Sequence, residues 1–304
     1  MKSDEVEAIV TIWNRSLVRD PIDTGRFVSW LLADPDYWPG DDSGFFVARV
    51  DQKPVGFLRA IIRRQHNERL GLEETKAWMP VFAVDPDHRR SGIGAMLVQR
   101  GLDWIASHGK REIWISGGSG SAPGYIFPGV DVEAYADGLR LLQRYQFQID
   151  HHAVSMSREI TTFGIDRYEA DAWEVGQDVK ISTLTPADVQ DLLEFFAAEF
   201  PGDWVAAARP KFRGRMHELL VARREGKIVG YCQWEGEHFG PFGVASRERN
   251  GRVGAKLFVE AVKRIRGADG RNVWFNWADP DAQRFYKRFG MQRMRSFAIL
   301  HRPA

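Results

Sequence analysis

The sequence predicts an α/β (α+β) protein built from two tandem copies of one domain, and three observations carry that prediction. Its 304 residues are about twice the roughly 150 typical of a domain and can fill two cores. The stretch "GFFVARVDQKPVGFLRA" (44–60) returns as "ELLVARREGKIVGYCQW" (218–234), with Val47, Ala48 and Arg49 falling on Val221, Ala222 and Arg223. Farther along, "VFAVDPDHRRSGIGAMLVQRGLDWI" returns as "PFGVASRERNGRVGAKLFVEAVKRI". Internal similarity of this extent fixes the architecture before any single element is read.

Each copy opens on a helix. "EVEAIVTIWNRSL" begins the first, and "TPADVQDLLEFFAAEF" the second, where Thr185 suits the N-cap and Pro186 the first helical position. Next come two alternating apolar runs around a short polar turn, "VDQK" or "REGK", the pattern of a half-buried antiparallel hairpin. An apolar strand, "VFAV" or "PFGV", then runs through a turn into a helix. Ile93, Leu97, Gly101 and Ile105 in one copy, and Val253, Leu257, Ala261 and Ile265 in the other, recur at four-residue steps and mark the buried face. "RGADG" supplies the basic residues and glycines of a helix C-terminus. A strand, "REIWIS" or "NVWFNW", a second helix, "YADGLRLLQRYQF" or "DPDAQRFYKRFGM", and a final strand complete each copy. The aperiodic, polar stretch 161–178 reads as the join, giving domains at 1–160 and 179–304.

Composition narrows the function. A formal net charge of +1 supplies no global field for a polyanion, so neither nucleic acid nor an acidic membrane is expected as a partner. Cys232 is the sole cysteine, which excludes an intrachain disulfide and suits a reducing compartment; on its strand it reads as a small core residue. The N-terminus lacks the apolar core of a signal peptide, and no run approaches the roughly 18 apolar residues of a membrane span. A cytoplasmic location is therefore expected. His151 and His152 are adjacent on a strand and point to opposite faces, and "MHEL" lacks the second histidine of a zinc-protease helix, so no metal is expected.

The chemistry concentrates in "HRRSGIGAML" (88–97). A strand that ends in Arg-x-x-Gly-x-Gly and enters a helix offers unpaired backbone N–H groups, the positive end of the helix dipole, and glycines that let backbone approach a phosphate closely. The order hairpin, apolar strand, "DP", basic turn, helix, strand, helix, together with this turn, resembles the Gcn5-related N-acetyltransferase (GNAT) superfamily. Because the order repeats, the resemblance spans nearly the whole chain and implies a tandem member. It implies, for each domain, a mixed, mostly antiparallel central sheet flanked by helices.

The resemblance further implies acetyl-CoA as acyl donor and a primary amine, small-molecule or peptide, as acceptor. It carries the cofactor-binding role onto Phe82, Ala83 and Val84 of the central strand, for the pantetheine arm, and onto Arg89, Arg90, Ser91, Gly92, Ile93, Gly94 and Ala95, for the pyrophosphate. The family often places a tyrosine on its last helix to protonate the departing sulfur. In the second copy Tyr286 stands there, but Arg252 replaces the glycine that corresponds to Gly92. In the first copy the turn is intact, and Leu142 stands at the tyrosine position.

The first copy also inserts "GGSGSAPGYIFPGVDVEAY" (117–135) before its last helix, where the second has "NWADPD". In the family this position borders the acceptor. Tyr125 and Asp131 are therefore candidate acceptor contacts, Glu133 the candidate base, and Tyr135 the substitute acid, on the expectation that one continuous helix carries Tyr135 and Leu142 on nearly the same face. Two alternatives stay open at this level: a non-catalytic acyl-CoA-binding or interaction module, and a mycothiol-synthase-like tandem enzyme active in its C-terminal copy. Oligomeric state is not specified by the sequence.

Overall fold

The computed structural model describes residues 3–67, 70–115, 122–162, 164, 178–200, 204–249 and 251–303; most of the expected join and residues 117–121 of the insertion lie outside them. In chain order it runs α1 (Val6–Ser16), α2 (Thr24–Phe27), a π-helical stretch (Val28–Leu32), β1 (Phe45–Val50), β2 (Lys53–Ile61), β3 (Lys76–Val84), α3 (Ile93–Ser107), β4 (Glu112–Ile115), β5 (Val130–Asp131), α4 (Ala136–Arg144) and β6 (Gln148–Glu159). It continues with β7 (Val179–Thr183), α5 (Val189–Glu199), α6 (Trp204–Phe212), β8 (Leu219–Arg224), β9 (Lys227–Glu235), β10 (His238–Val244), α7 (Val253–Gly267), β11 (Asn272–Phe275), α8 (Pro280–Lys287) and β12 (Gln292–Pro303). The elements sequence reasoning did not foresee are those with little local signal. α2 is four residues long, β5 two, β7 five, and α6 carries Pro210 inside it. No helix among the described residues is long and apolar enough to cross a membrane.

The chain divides into two compact units, Met1–Ala153 with Arg295–Ala304, and Val154–Met294. This differs from the expected bounds of 1–160 and 179–304, because the two final strands do not stay with their own copies. From Arg295 onward β12 pairs with β4 of the first unit, Leu300 opposite Ile115, and the end of β6 pairs with β11 of the second, Val273 opposite Arg158. The order of strands is β1-β2-β3-β4-β12 in the first unit and β6-β11-β10-β9-β8-β7 in the second. β3 with β4 and β10 with β11 are parallel. β1 with β2, β2 with β3, β4 and β5 with β12, β6 with β11, β7 with β8, β8 with β9 and β9 with β10 are antiparallel, so each sheet is mixed and mostly antiparallel, as expected.

The repeat is faithful in backbone detail. Both hairpins close through two residues in the left-handed region, Asp51 (φ 48°) with Gln52 (φ 64°) and Glu225 (φ 49°) with Gly226 (φ 79°), the geometry that matches the twist of the flanking strands. Both carry a register shift at the same aligned pair, Ala48/Arg49 and Ala222/Arg223. The aligned arginines also do the same work. Arg49 Nε donates to Glu5 Oε1 at 2.7 Å, and Arg223 Nη2 donates to Asp188 at 2.6 Å, each tying the hairpin to the start of its domain's first helix.

In the first unit α3 covers one face of the sheet with Leu97, Val98, Leu102 and Ile105, packed on Leu58, Met79 and Ile113. α1 and α2 cover the other with Ile9, Trp13 and Phe27, packed on Phe45, Phe57 and Val81. Gly101 lets α3 lie close, since a Cβ there would stand 2.8 Å from Leu58 Cδ2 and 3.0 Å from Met79 Sδ. In the second unit Leu257, Ala261 and Ile265 of α7 are likewise buried. Cys232 is fully buried in that core, and burial pushes its thiol far above the ordinary range, in keeping with the packing role expected of it.

Candidate active site

The site begins with a defect in β3. Between the pairs Ile61↔Trp78 and Arg59↔Val81 β3 spends two residues, Met79 and Pro80, against one on β2, which is a β-bulge. Pro80 has no N–H to offer a ladder. The parallel register with β4 accordingly ends at Trp78↔Trp114, and beyond it the two strands part.

Backbone alternation decides what β3 presents at the opening. Asp85 N–H donates to Val55 O at 2.8 Å, so Ala83 and Val81 turn their polar groups toward β2, and Phe82 and Val84 turn theirs to the opposite edge. The Val84 carbonyl accepts from Ser16 Oγ (2.9 Å) and Arg89 Nε (3.2 Å), which ties the end of β3 to α1 and the turn. Phe82 therefore offers backbone at the edge, whereas Ala83 contributes its small side chain alone.

The turn presents the other end. Arg90 (φ 63°) and Gly92 (φ 86°) are both left-handed, a conformation glycine adopts without strain and arginine does not. Gly92 precedes α3, and no side chain caps that helix, so its first N–H groups, on Ile93, Gly94 and Ala95, are free for an anion. Ser91 is exposed, its Oγ donating to His88 O at 2.6 Å, and Ile93 packs partly into the core. At Gly94 a Cβ would lie 3.1 Å from Leu141 Cδ2, so glycine is what keeps bare backbone at this wall.

Between the parted strands, the turn and α4 lies a cleft of about 580 Å³. Arg89, Arg90, Arg140 and Arg144 line its turn end, and Met79, Ile115, Phe127 and Phe297 its deeper wall. Asp137 at the basic end is held ionised by its hydrogen bond to Arg140, then by that residue's charge and those of Arg90 and Arg89, and its carboxyl lies below the ordinary range. Bare backbone N–H groups, glycine and arginines at one end, with apolar wall and unpaired strand edge beyond, suit a long ligand with a pyrophosphate and an amide-bearing arm.

One polar cluster stands on the cleft wall. Tyr135 Oη donates to Asp20 Oδ2 at 2.5 Å. Arg295 grips both oxygens of Asp20, at 2.6 and 2.8 Å, and reaches Asp131 Oδ2 at 2.7 Å. Asp131 Oδ1 accepts from the N–H groups of Glu133 and Ala134, both at 3.0 Å. Burial alone would raise the Asp131 carboxyl, but the Ala134 N–H, Arg295 and the Glu133 N–H outweigh it and hold it below the usual range. Burial, and then the Asp20 carboxylate, push the Tyr135 phenol well above its ordinary value.

The expected residues are thus sorted. Tyr135 and Glu133 both line the cleft. Tyr135 is the residue before α4 rather than part of a continuous helix with Leu142; its φ of −123° and ψ of 35° break the run, and Leu142 is fully buried in the core. Asp131 is 1% exposed and spends its oxygens on Arg295 and two backbone donors, and neither it nor Tyr125 lines the cleft. Sequence reasoning missed Asp20 and Arg295. Asp20 follows α1 without a motif, and Arg295 arrives from the last strand, 275 positions away from Asp20; neither leaves a local signal.

The corresponding region of the second unit is filled. Arg252 takes the left-handed position of Gly92, at φ 55°. Rings bridge β10 to α8: Phe242 stacks on Phe285 at 5.6 Å, and Tyr286 lies 4.4 Å from Phe275 and 5.5 Å from Phe258. Tyr286 is 6% exposed, and burial drives its phenol far above the ordinary range. At Gly243, the counterpart of Ala83, a Cβ would stand 2.4 Å from Phe200 and 2.7 Å from Trp204.

Comparison with known proteins agrees with this geometry. Residues 8–122 match the acetyltransferase (GNAT) family, and residues 215–293 match an acetyltransferase (GNAT) domain. A protein of Methanocaldococcus jannaschii described as an uncharacterized N-acetyltransferase is 32% identical over 91 residues, which are 29% of this chain and 36% of that protein. The chain thus matches little more than a third of that relative. Among solved structures, a GCN5-related glucosamine N-acetyltransferase region of a fungal multi-domain β-N-acetylglucosaminidase superposes with a TM-score of 0.80 at 17% identity, over 99% of this chain and 37% of that one. A GCN5-related N-acetyltransferase from Sphaerobacter thermophilus gives 0.71 at 16% over 100% and 94%. A tandem GNAT protein from the clavulanic acid pathway gives 0.64 at 14% over 99% and 96%. With two matched domains that cover more than half of its length between them, the chain belongs to the GNAT acetyltransferase family as a tandem member.

Proposed function

We propose that the first unit binds acetyl-CoA and transfers its acetyl group to a primary amine by direct attack. The observation that carries this reading is the cleft where β3 and β4 part, with the uncapped start of α3 and Gly92 at one end and the Tyr135 phenol on its wall. The N–H groups of Ile93, Gly94 and Ala95, with Arg89 and Arg90, hold the pyrophosphate, and the free backbone edge at Phe82 pairs with the pantetheine amides.

Acetyl-CoA supplies an activated acetyl thioester. As the amine forms its C–N bond to the acetyl carbon, the C–S bond breaks; the amine gives up a proton and the thiolate takes one. Tyr135, on the cleft wall, is the acid that serves the sulfur. Glu133, whose side chain is 66% exposed and lies 3.9 Å from Arg19, receives the proton of the amine at the mouth. Tyr286, enclosed by rings, serves the core of the second unit, which acts as a structural partner in this reading.

Calorimetric titration with acetyl-CoA of the wild type and of Gly92→Asp tests the site. Binding should weaken at least about tenfold, which is roughly 1.4 kcal/mol; undiminished binding would remove the turn from the mechanism. Release of CoA thiol with a panel of primary amines then tests the reaction. Glucosamine belongs in the panel because the fungal neighbour is described as a glucosamine N-acetyltransferase region. Tight CoA binding with no turnover on any amine would favour a binding module instead.

A further inference from the structure

Among the described residues, Arg295 is the one cation that joins the two carboxylates beside Tyr135, and it belongs to β12. Its side chain is 16% exposed, that of Asp20 10%, and that of Asp131 1%. All three guanidinium nitrogens are engaged, Nη1 and Nη2 with Asp20 and Nε with Asp131, and the group lies over the Phe297 ring at 4.7 Å. A forked pair of this kind fixes the plane of the carboxylate as well as its position. Asp131 is fixed in turn by the N–H groups of Glu133 and Ala134, the residues that lead directly into Tyr135.

The backbone beside Tyr135 and the acceptor of its hydroxyl are therefore both referred to one guanidinium. Tyr135 N–H donates to Asp131 O at 3.0 Å, and Tyr135 Oη donates to Asp20. Without Arg295, Asp20 and Asp131 would be two buried carboxylates with no strong common partner, since Arg19 reaches Asp131 only at 3.4 Å and its side chain is 45% exposed. Such carboxylates repel one another and move toward water.

We propose that Arg295 is a positioning residue for acetyl transfer: by clamping Asp20 and Asp131 together it fixes the Tyr135 phenol on the cleft wall, so that the first unit's site is complete only when the last strand is in place. The proposal rests on the reading of Tyr135 as the acid, and its test separates the two. Lysine at this position keeps a charge but not the fork, and so restores the clamp in part.

The test uses the full-length protein as wild type, Arg295→Lys, Arg295→Met, Tyr135→Phe and the double variant Arg295→Met/Tyr135→Phe, each first titrated with acetyl-CoA to show that the cofactor cleft is intact. Tyrosine labelled with ¹³C at the ring carbon bearing the hydroxyl reports the phenol itself, its signal being assigned by its loss in Tyr135→Phe. The expected result is one narrow Tyr135 resonance in the wild type, broadening or splitting in Arg295→Met, and an intermediate pattern in Arg295→Lys. An unchanged Tyr135 resonance in Arg295→Met overturns the proposal. Thiol release with the amine panel gives the second reading. Arg295→Met should lower kcat at least about tenfold with acetyl-CoA affinity within about threefold, and should cost little more once Tyr135 is phenylalanine, because residues that act through one another are not additive. Full additivity would also overturn the proposal. Full turnover by Tyr135→Phe, with the resonance still dependent on Arg295, would instead refute the acid role and leave the clamp standing. Should Arg295→Met fail to fold, Arg295→Lys and Asp20→Asn carry the same two readouts.

Discussion

Replacing Gly92 by alanine and, separately, by aspartate divides the backbone role of the turn from its electrostatic role. Gly92 sits at φ 86°, and a Cβ there meets nothing within 4 Å. Alanine therefore pays only the left-handed backbone cost, about 1 kcal/mol of stability, or roughly 3 °C in melting temperature. Aspartate tolerates this region better than most residues, so its stability should fall no further. Its carboxylate, however, stands at the uncapped start of α3, the place proposed for the pyrophosphate. Two unit charges roughly 5 Å apart repel by about 3 kcal/mol at an effective dielectric of 20 and by under about 1 kcal/mol in bulk water; an exposed turn lies between, near about 2 kcal/mol. Isothermal titration with acetyl-CoA should show alanine within about threefold of wild type and aspartate weaker by roughly 30-fold, the gap shrinking as salt screens it. Equal affinities for the two variants would refute the assignment of the phosphate to this turn, whatever either did to stability.

Other substitutions probe the rest of the molecule. Arg252→Gly should relieve left-handed strain and raise the stability of the second unit by about 0.5–1 kcal/mol in urea denaturation, with acetyl-CoA stoichiometry staying at one per chain because rings fill the space between β10 and α8. Tyr286→Phe should leave thiol release within about twofold of wild type; a loss of a hundredfold would return catalysis to the second unit. For Asp131 the sign follows from its depressed carboxyl: the stability it contributes is fully present above its unfolded value of about 3.9 and is lost as pH falls through its lower folded value. Asp131→Asn should therefore cost about 3 kcal/mol near pH 7, and the gap from wild type should close as both are titrated below about pH 4, measured by urea midpoints.

How much of the site was legible follows from the range of the forces involved. Gly92, Gly94 and the arginines of the turn could be read because a left-handed residue before a helix and a bare helix start are properties of consecutive residues. The alternation of "GFFVARV" and the four-residue steps of Leu97, Gly101 and Ile105 could be read for the same reason, and Leu97 and Ile105 are indeed buried. Tyr135 was reached through a continuous helix that does not exist: α4 begins at Ala136, and the tyrosine meets the cleft because the Asp131 turn delivers it there. Tyr286 matched a sequence pattern but is enclosed, since the pattern does not record that Phe242 and Phe285 stack above it.

By itself, then, the sequence determined the duplication, the elements of each copy and the glycine turn ahead of α3, all of which arise from periodicity and backbone preference within a few residues. Only the tertiary structure decided which unit each final strand joins and which charges meet at Tyr135. A strand's pattern states which face is buried but not which sheet edge it adds to, and an ion pair between Asp20 and Arg295 is invisible until that edge is chosen.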